Sequence, residues 1–120
     1  MIYDKNNIFA KIIRGELPSK KVYEDDKVLA FHDIYPKAPI HIIVIPKGEY
    51  ISFDDFAVKA SDEEIAHFFR IAQKIAAEHG LQPSGYRIGA NHGKDANQIV
   101  FHFHLHILGG GDLRNINLSK

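Results

Sequence analysis

Cysteine and tryptophan are absent from the 120 residues, and methionine occurs once. Without cysteine the chain has no disulfide framework, no thiolate zinc site and no cysteine nucleophile, a composition suited to a reducing compartment. An excess of charge of either sign is missing too. Fifteen Lys and Arg against fifteen Asp and Glu give a net charge of zero at pH 7, so there is no basic footprint for nucleic acid. No apolar run approaches the roughly 20 residues of a membrane-spanning helix, and the opening Met1-Ile2-Tyr3-Asp4-Lys5 lacks the apolar core of a secretory signal. These absences lead us to expect a cytoplasmic protein with neither a nucleic-acid nor a membrane partner. A hydrophobic share of 45% and a charged share of 25% are those of a globular chain, and the length suits one domain over residues 1–120. Histidine is plentiful: there are eight, three of them within five positions.

Asn7 can cap a short helix whose apolar residues Ile8, Phe9, Ile12 and Ile13 follow helical spacing, with Gly15 as its stop. Lys21 to Glu24 and Lys27 to His32 read as two strands joined at Asp25-Asp26, and Ile40 to Ile45 as a β-branched strand covered on both faces. Between Lys47 and Ala60 the pattern is mixed, with room for a short helical turn. Ser61 with Glu64 three residues on forms a capping box. Ile65, Phe68, Phe69, Ala72, Ile75 and Ala76 then mark an amphipathic helix ending at Gly80, its arc widened by Ile71. Such breadth suits core packing, or contact with both its own sheet and a partner. Gly85 to Ala90 and Val100 to Leu108 read as the last strands, around the polar loop Asn91-His92-Gly93-Lys94-Asp95. The early strands are joined too tightly for helical crossovers, which favours an α+β domain with a mainly antiparallel sheet and two main helices.

Phe101-His102-Phe103-His104-Leu105-His106-Ile107 is the most informative stretch. A strand sends alternate side chains to opposite faces, so His102, His104 and His106 share one face and the apolar residues the other. Imidazoles spaced about 6–7 Å apart can share one small anion. Two chemistries fit. Histidines separated by one residue can bind zinc, although no carboxylate lies inside the strand to complete the site. Alternatively, a neutral imidazole attacks phosphorus and forms a covalent intermediate while its neighbours hold oxygens and deliver a proton.

His102-Phe103-His104-Leu105-His106-Ile107-Leu108 followed by Gly109-Gly110 resembles the histidine triad (HIT) family, and within it the Hint branch of nucleotide-binding phosphoramidases. Ile8-Phe9-Ala10-Lys11-Ile12-Ile13-Arg14-Gly15-Glu16-Leu17-Pro18 is similar to the Hint opening helix, and Phe31-His32-Asp33-Ile34-Tyr35-Pro36-Lys37-Ala38-Pro39-Ile40-His41 to its second signature. The resemblance implies a HIT-like five-stranded fold, a homodimer, a purine nucleotide substrate such as an AMP derivative, and no metal or other cofactor. It gives His104 the role of nucleophile, His106 that of assisting the leaving group, and His102 and His41 that of orienting the site. It further implies that Asn91 contacts the substrate near the phosphate, that Asp33 binds the ribose hydroxyls, and that Phe9, Ile12, His32 and Ile34 wall the base. For Phe9, Ile12 and Ile34 plain core packing explains the residue types equally well. The sequence departs from the family at Ile99, where a serine or another polar residue is usual near the phosphate, and in its tail, which lacks a tryptophan. A zinc-dependent hydrolase and a nucleotide-binding regulator with little catalysis are the alternatives.

Overall fold

The computed structural model describes residues 1–117, so the last three positions of the expected 1–120 domain lie outside the described residues. The Asn7 side chain accepts from the Ala10 amide and starts α1 (Ile8–Ile13). Next in the chain come β1 (Lys21–Glu24), β2 (Val28–His32), β3 (Ile40–Pro46), α2 (Phe53–Lys59), α3 (Asp62–Glu78), β4 (Tyr86–Gly89) and β5 (Leu105–Gly109), with a 3-10 turn at Lys94–Ala96. Among the described residues the five strands form one sheet in the order β1-β2-β3-β5-β4, antiparallel at every junction. The α+β architecture expected from the sequence is the one observed.

Alternation sorts the sheet into two apolar faces. Val28, Ala30, Ile42, Val44, Leu105 and Ile107 pack with Phe68, Ala72 and Ile75 of α3 and Phe56 of α2. Leu29, Phe31, Ile43 and Ile45 look the other way, onto Phe9, Ile12 and Ile13 of α1 and onto Val100. β3 is thus covered on both sides, as its β-branched run from Ile42 to Ile45 demands. The chain turns from β1 to β2 at Asp25, whose carboxylate accepts from the Lys27 and Val28 amides. α3 begins at Ser61, whose hydroxyl accepts from the Glu64 amide. The Glu64 carboxylate accepts from the Tyr50 hydroxyl. Gly110 leaves β5 with φ +81, a conformation strained for any side chain.

The structure corrects three expectations. The segment after Lys47 contains a full helix, α2, making three helices rather than two. It begins at Ser52 without a side-chain cap bond, and Phe56 is its one buried residue, so neither cap nor stripe announced it. The strand expected over residues 85–90 is shorter, Tyr86–Gly89. The strand expected from Val100 begins only at Leu105. Residues 101–104 are held instead by a bond from the Phe103 amide to the Tyr50 carbonyl (2.7 Å) and by the Phe103 ring. That ring stacks on Phe56 at 4.9 Å and packs against Phe68 at 5.4 Å.

Candidate active site

β5, β3 and the segment before β5 bring four histidines together on the α1 side of the sheet. His41 and His106 sit on the adjacent strands β3 and β5, where His106 pairs with Ile43. Their rings meet through His41 Nε2 and His106 Nδ1 at 2.9 Å. The proton positions follow from the partners. The Lys37 amide donates to His41 Nδ1 (2.9 Å), so the proton of neutral His41 is on Nε2. His41 Nε2–H then donates to His106 Nδ1, which leaves the proton of neutral His106 on Nε2. Asp33 stands behind this pair, its Oδ2 3.4 Å from His41 Nε2 and its Oδ1 accepting from the Tyr35 amide. The β2–β3 connection therefore supplies an acid and two backbone donors that fix an Asp33–His41–His106 relay.

His104 follows the same logic. Its Nδ1 lies 2.7 Å from the His102 carbonyl, which can only accept, so in the neutral ring the lone pair is on Nε2. The ring is buried between Phe9, in edge contact at 4.9 Å, and His106 at 5.1 Å. His102 has a different place. Its Nε2 donates to the Pro46 carbonyl (2.7 Å) and its Nδ1 accepts from the Tyr3 hydroxyl. Burial, more than the neighbouring His104, pulls its pKa down from 6.5 to about 4, and the bond to Pro46 opposes the shift only in part. His102 is neutral at pH 7. Although residues 101–104 are not strand, Phe103, Leu105 and Ile107 still pack on the opposite face from the imidazoles; His104 and His106 form the ring pair, and His102 turns to the backbone.

Phe9 also borders a cavity of about 370 Å³ shared with Ile12, Phe31, His32, Asp33, Ile34 and Tyr35. Phe9, Ile12, His32 and Ile34, expected from the sequence as walls, and Asp33, expected at the ribose, thus line one hollow, with Ile34 largely exposed. Phe9 is buried in the core as well as lining the cavity. Asn91 and Ile99 lie outside that lining. The side-chain amide nitrogen of Asn91 is buried with no hydrogen-bond partner among the described residues. Ile99 is 59% exposed. The Gln98 side chain is committed to the loop: it accepts from the Gly93 amide and donates to the Ile51 and Val100 carbonyls. Tyr3 is the site residue that sequence reasoning missed, since no local pattern signals a bond across 99 positions.

The arrangement also bears on metal binding. His102, with both ring nitrogens engaged, does not converge with His104 and His106 around a common point. Asp33, His41 and His106 do bring ligand atoms within 4.8 Å of one another, but a cation between them would replace the His41–His106 hydrogen bond.

The model of the HIT domain matches residues 14–113. An uncharacterized HIT-like protein of Rickettsia prowazekii (strain Madrid E) is 54% identical over 112 residues, covering 93% of each chain. A purine nucleoside phosphoramidase of Escherichia coli (strain K12) is 40% identical over 109 residues, covering 91% of each. Among solved structures, a histidine triad protein from Clostridium difficile superposes with a TM-score of 0.82 at 45% identity, over 95% of this chain and 98% of that one. With the antiparallel sheet and clustered histidines described above, these matches establish that the chain belongs to the HIT domain family.

Proposed function

We propose that this protein hydrolyses the P–N bond of purine nucleoside phosphoramidates through a covalent nucleotidyl-His104 intermediate. The observation that carries the reading is the tautomer of His104: with Nδ1–H held by the His102 carbonyl, the nucleophilic lone pair is on Nε2, in a ring packed between His106 and Phe9, which itself lines the apolar cavity. The 40% identity to a purine nucleoside phosphoramidase supports the same chemistry.

His104 Nε2 attacks the α-phosphorus as the bond to the amine breaks. His106 Nε2–H is the proton donor for the departing nitrogen, held in that tautomer by His41. Water then attacks the nucleotidyl-histidine, breaks the P–Nε2 bond and releases nucleoside monophosphate, and its proton replaces the one the amine took. Dividing one displacement into two lowers each barrier. His102 orients the nucleophile through its carbonyl. The Asn91 amide nitrogen, buried and without a partner among the described residues, suits a phosphate or ester oxygen, which would relieve a cost of about 1–3 kcal/mol. The reading predicts that mass spectrometry of protein quenched during turnover of an adenosine phosphoramidate finds one nucleotidyl group, on His104. Turnover without any adduct would sink it.

The base fits between the apolar walls, and the Asp33 carboxylate at the cavity edge is suited to a vicinal diol. Asp33→Ala is expected to erase most of the preference for ribo- over 2′-deoxynucleotide substrates in kcat/KM, by about tenfold or more for a lost charged hydrogen bond. Equal losses on both substrates would remove Asp33 from ribose recognition.

A homodimer fits the sheet edges. β1 carries Lys21 and an irregular register, both of which discourage pairing, whereas β4 presents Ile88 at 53% exposure beside Tyr86 and, on α3, Phe69. Ile88→Asp is expected to convert a dimer to a monomer in analytical ultracentrifugation. An unchanged sedimentation coefficient would place the contact elsewhere.

A further inference from the structure

The N-terminal segment reaches the catalytic cluster through one residue. Met1 and Ile2 are exposed, while Tyr3 turns inward and its ring meets the edge of His102 at 5.6 Å. The residues just after Tyr3 are anchored. The Asn7 amide and side chain both donate to the Asp4 carbonyl, Asp4 accepts from the Asn6 amide, and Arg14 of the α1 C-terminus donates to the Lys5 carbonyl. The same Asn7 caps α1, which carries Phe9 against His104.

We infer that Tyr3 is a positioning residue for the nucleophile, its phenol holding the orientation of His102 and, through the His102 carbonyl, the direction of the His104 lone pair. The inference rests on the reading of His104 as nucleophile. Each link is a hydrogen bond with an assigned donor. The Pro46 carbonyl can only accept, so His102 Nε2 carries the proton and Nδ1 must accept; Tyr3 O–H is the donor it meets among the described residues. The next link is from His104 Nδ1–H to the carbonyl of His102 itself. A fully buried imidazole with one nitrogen unsatisfied is costly, and without the phenol the Nδ1 lone pair loses the donor that holds the ring from its second side. A resettling of the buried His102 side chain that shifts its Cα shifts the adjoining carbonyl as well, and with it the ring of His104. The nucleoside cavity is lined by other residues and is left alone. Burial raises the Tyr3 pKa above its usual value, so the phenol remains a donor at neutral pH.

The signature is a loss in kcat without a matching change in KM. Tyr3→Phe is expected to lower kcat for an adenosine phosphoramidate about tenfold and to leave KM within about twofold. Tyr3→Ala is expected to lose more, and added phenol, but not benzene, to restore part of the rate. Nitrogen-15 spectra of the ring nitrogens supply a readout independent of turnover. In the wild type His102 is the Nε2–H tautomer and His104 the Nδ1–H tautomer; in Tyr3→Phe the His102 Nδ1 signal shifts as its donor is lost, and the His104 Nδ1 signal shifts with it. Unchanged kcat, a loss confined to KM, or an unaltered His104 ring signal in Tyr3→Phe overturns the inference. A wild-type protein that cleaves no phosphoramidate would sink the functional reading instead, and the ring spectra would still decide the Tyr3 linkage.

Discussion

Replacing His104 with alanine is expected to lower phosphoramidate turnover by at least about a thousandfold, because no other group supplies the nucleophile. AMP binding is expected to survive, since the cavity walls belong to α1 and the segment after it, to β2 and β3, and to the β2–β3 connection. His104→Asn is the gentler replacement, keeping a polar side chain between Phe9 and His106. Steady-state kinetics and calorimetry with AMP, run on the same preparations, separate the two effects. Near-wild-type turnover in either variant would eliminate the covalent route. Exhaustive chelation of the wild type gives the complementary test, and the proposed mechanism requires that activity persist. A nucleotide-binding regulator would bind AMP and show no turnover to lose.

The second large effect is on stability and comes from His102. Its folded-state pKa of about 4 lies below the unfolded value of 6.5, so the unfolded chain binds the extra proton first on acidification. Stability from this group is complete above about pH 6.5 and is lost as pH falls toward 4. The difference corresponds to about 3 kcal/mol over that window, at up to about 1.4 kcal/mol per pH unit. Urea unfolding at intervals from pH 7 to pH 4 should show the decline. His102→Gln is expected to be less stable at pH 7 but to unfold with a shallower dependence, by about one proton. Equal slopes for the two proteins would mean that His102 is not buried in its neutral form.

The sequence made some of this site legible and hid the rest for identifiable reasons. The β-branched run of β3 announces its burial, and Ser61 announces the start of α3, because both signals are local. The second half of the capping pattern did not transfer: Glu64 is engaged by Tyr50, a residue from another part of the chain. The alternation around the histidines correctly separates Phe103, Leu105 and Ile107 from the imidazoles. It also implied a strand reaching back to Val100, which the observed bonds of His102 to Pro46 and Tyr3 replace with an irregular segment. That Phe9, Ile12, His32 and Ile34 line one cavity was suggested by family resemblance alone, since Phe9 serves core and cavity at once. Tautomers were beyond reach of any pattern, because each depends on a backbone group that folding delivers: the Lys37 amide for His41 and the His102 carbonyl for His104.

Phe103 lies between two of the site's histidines in the chain, and its ring belongs to a stack with Phe56 and Phe68 on the opposite side of the sheet. His104, the proposed nucleophile, is thereby tethered to two helices that do not line the cavity. Substitutions accumulating in that distant stack over evolution need not unfold the protein to matter: a slight resettling of the rings would be felt as a slower or faster enzyme. Rate and core packing cannot drift independently in this chain.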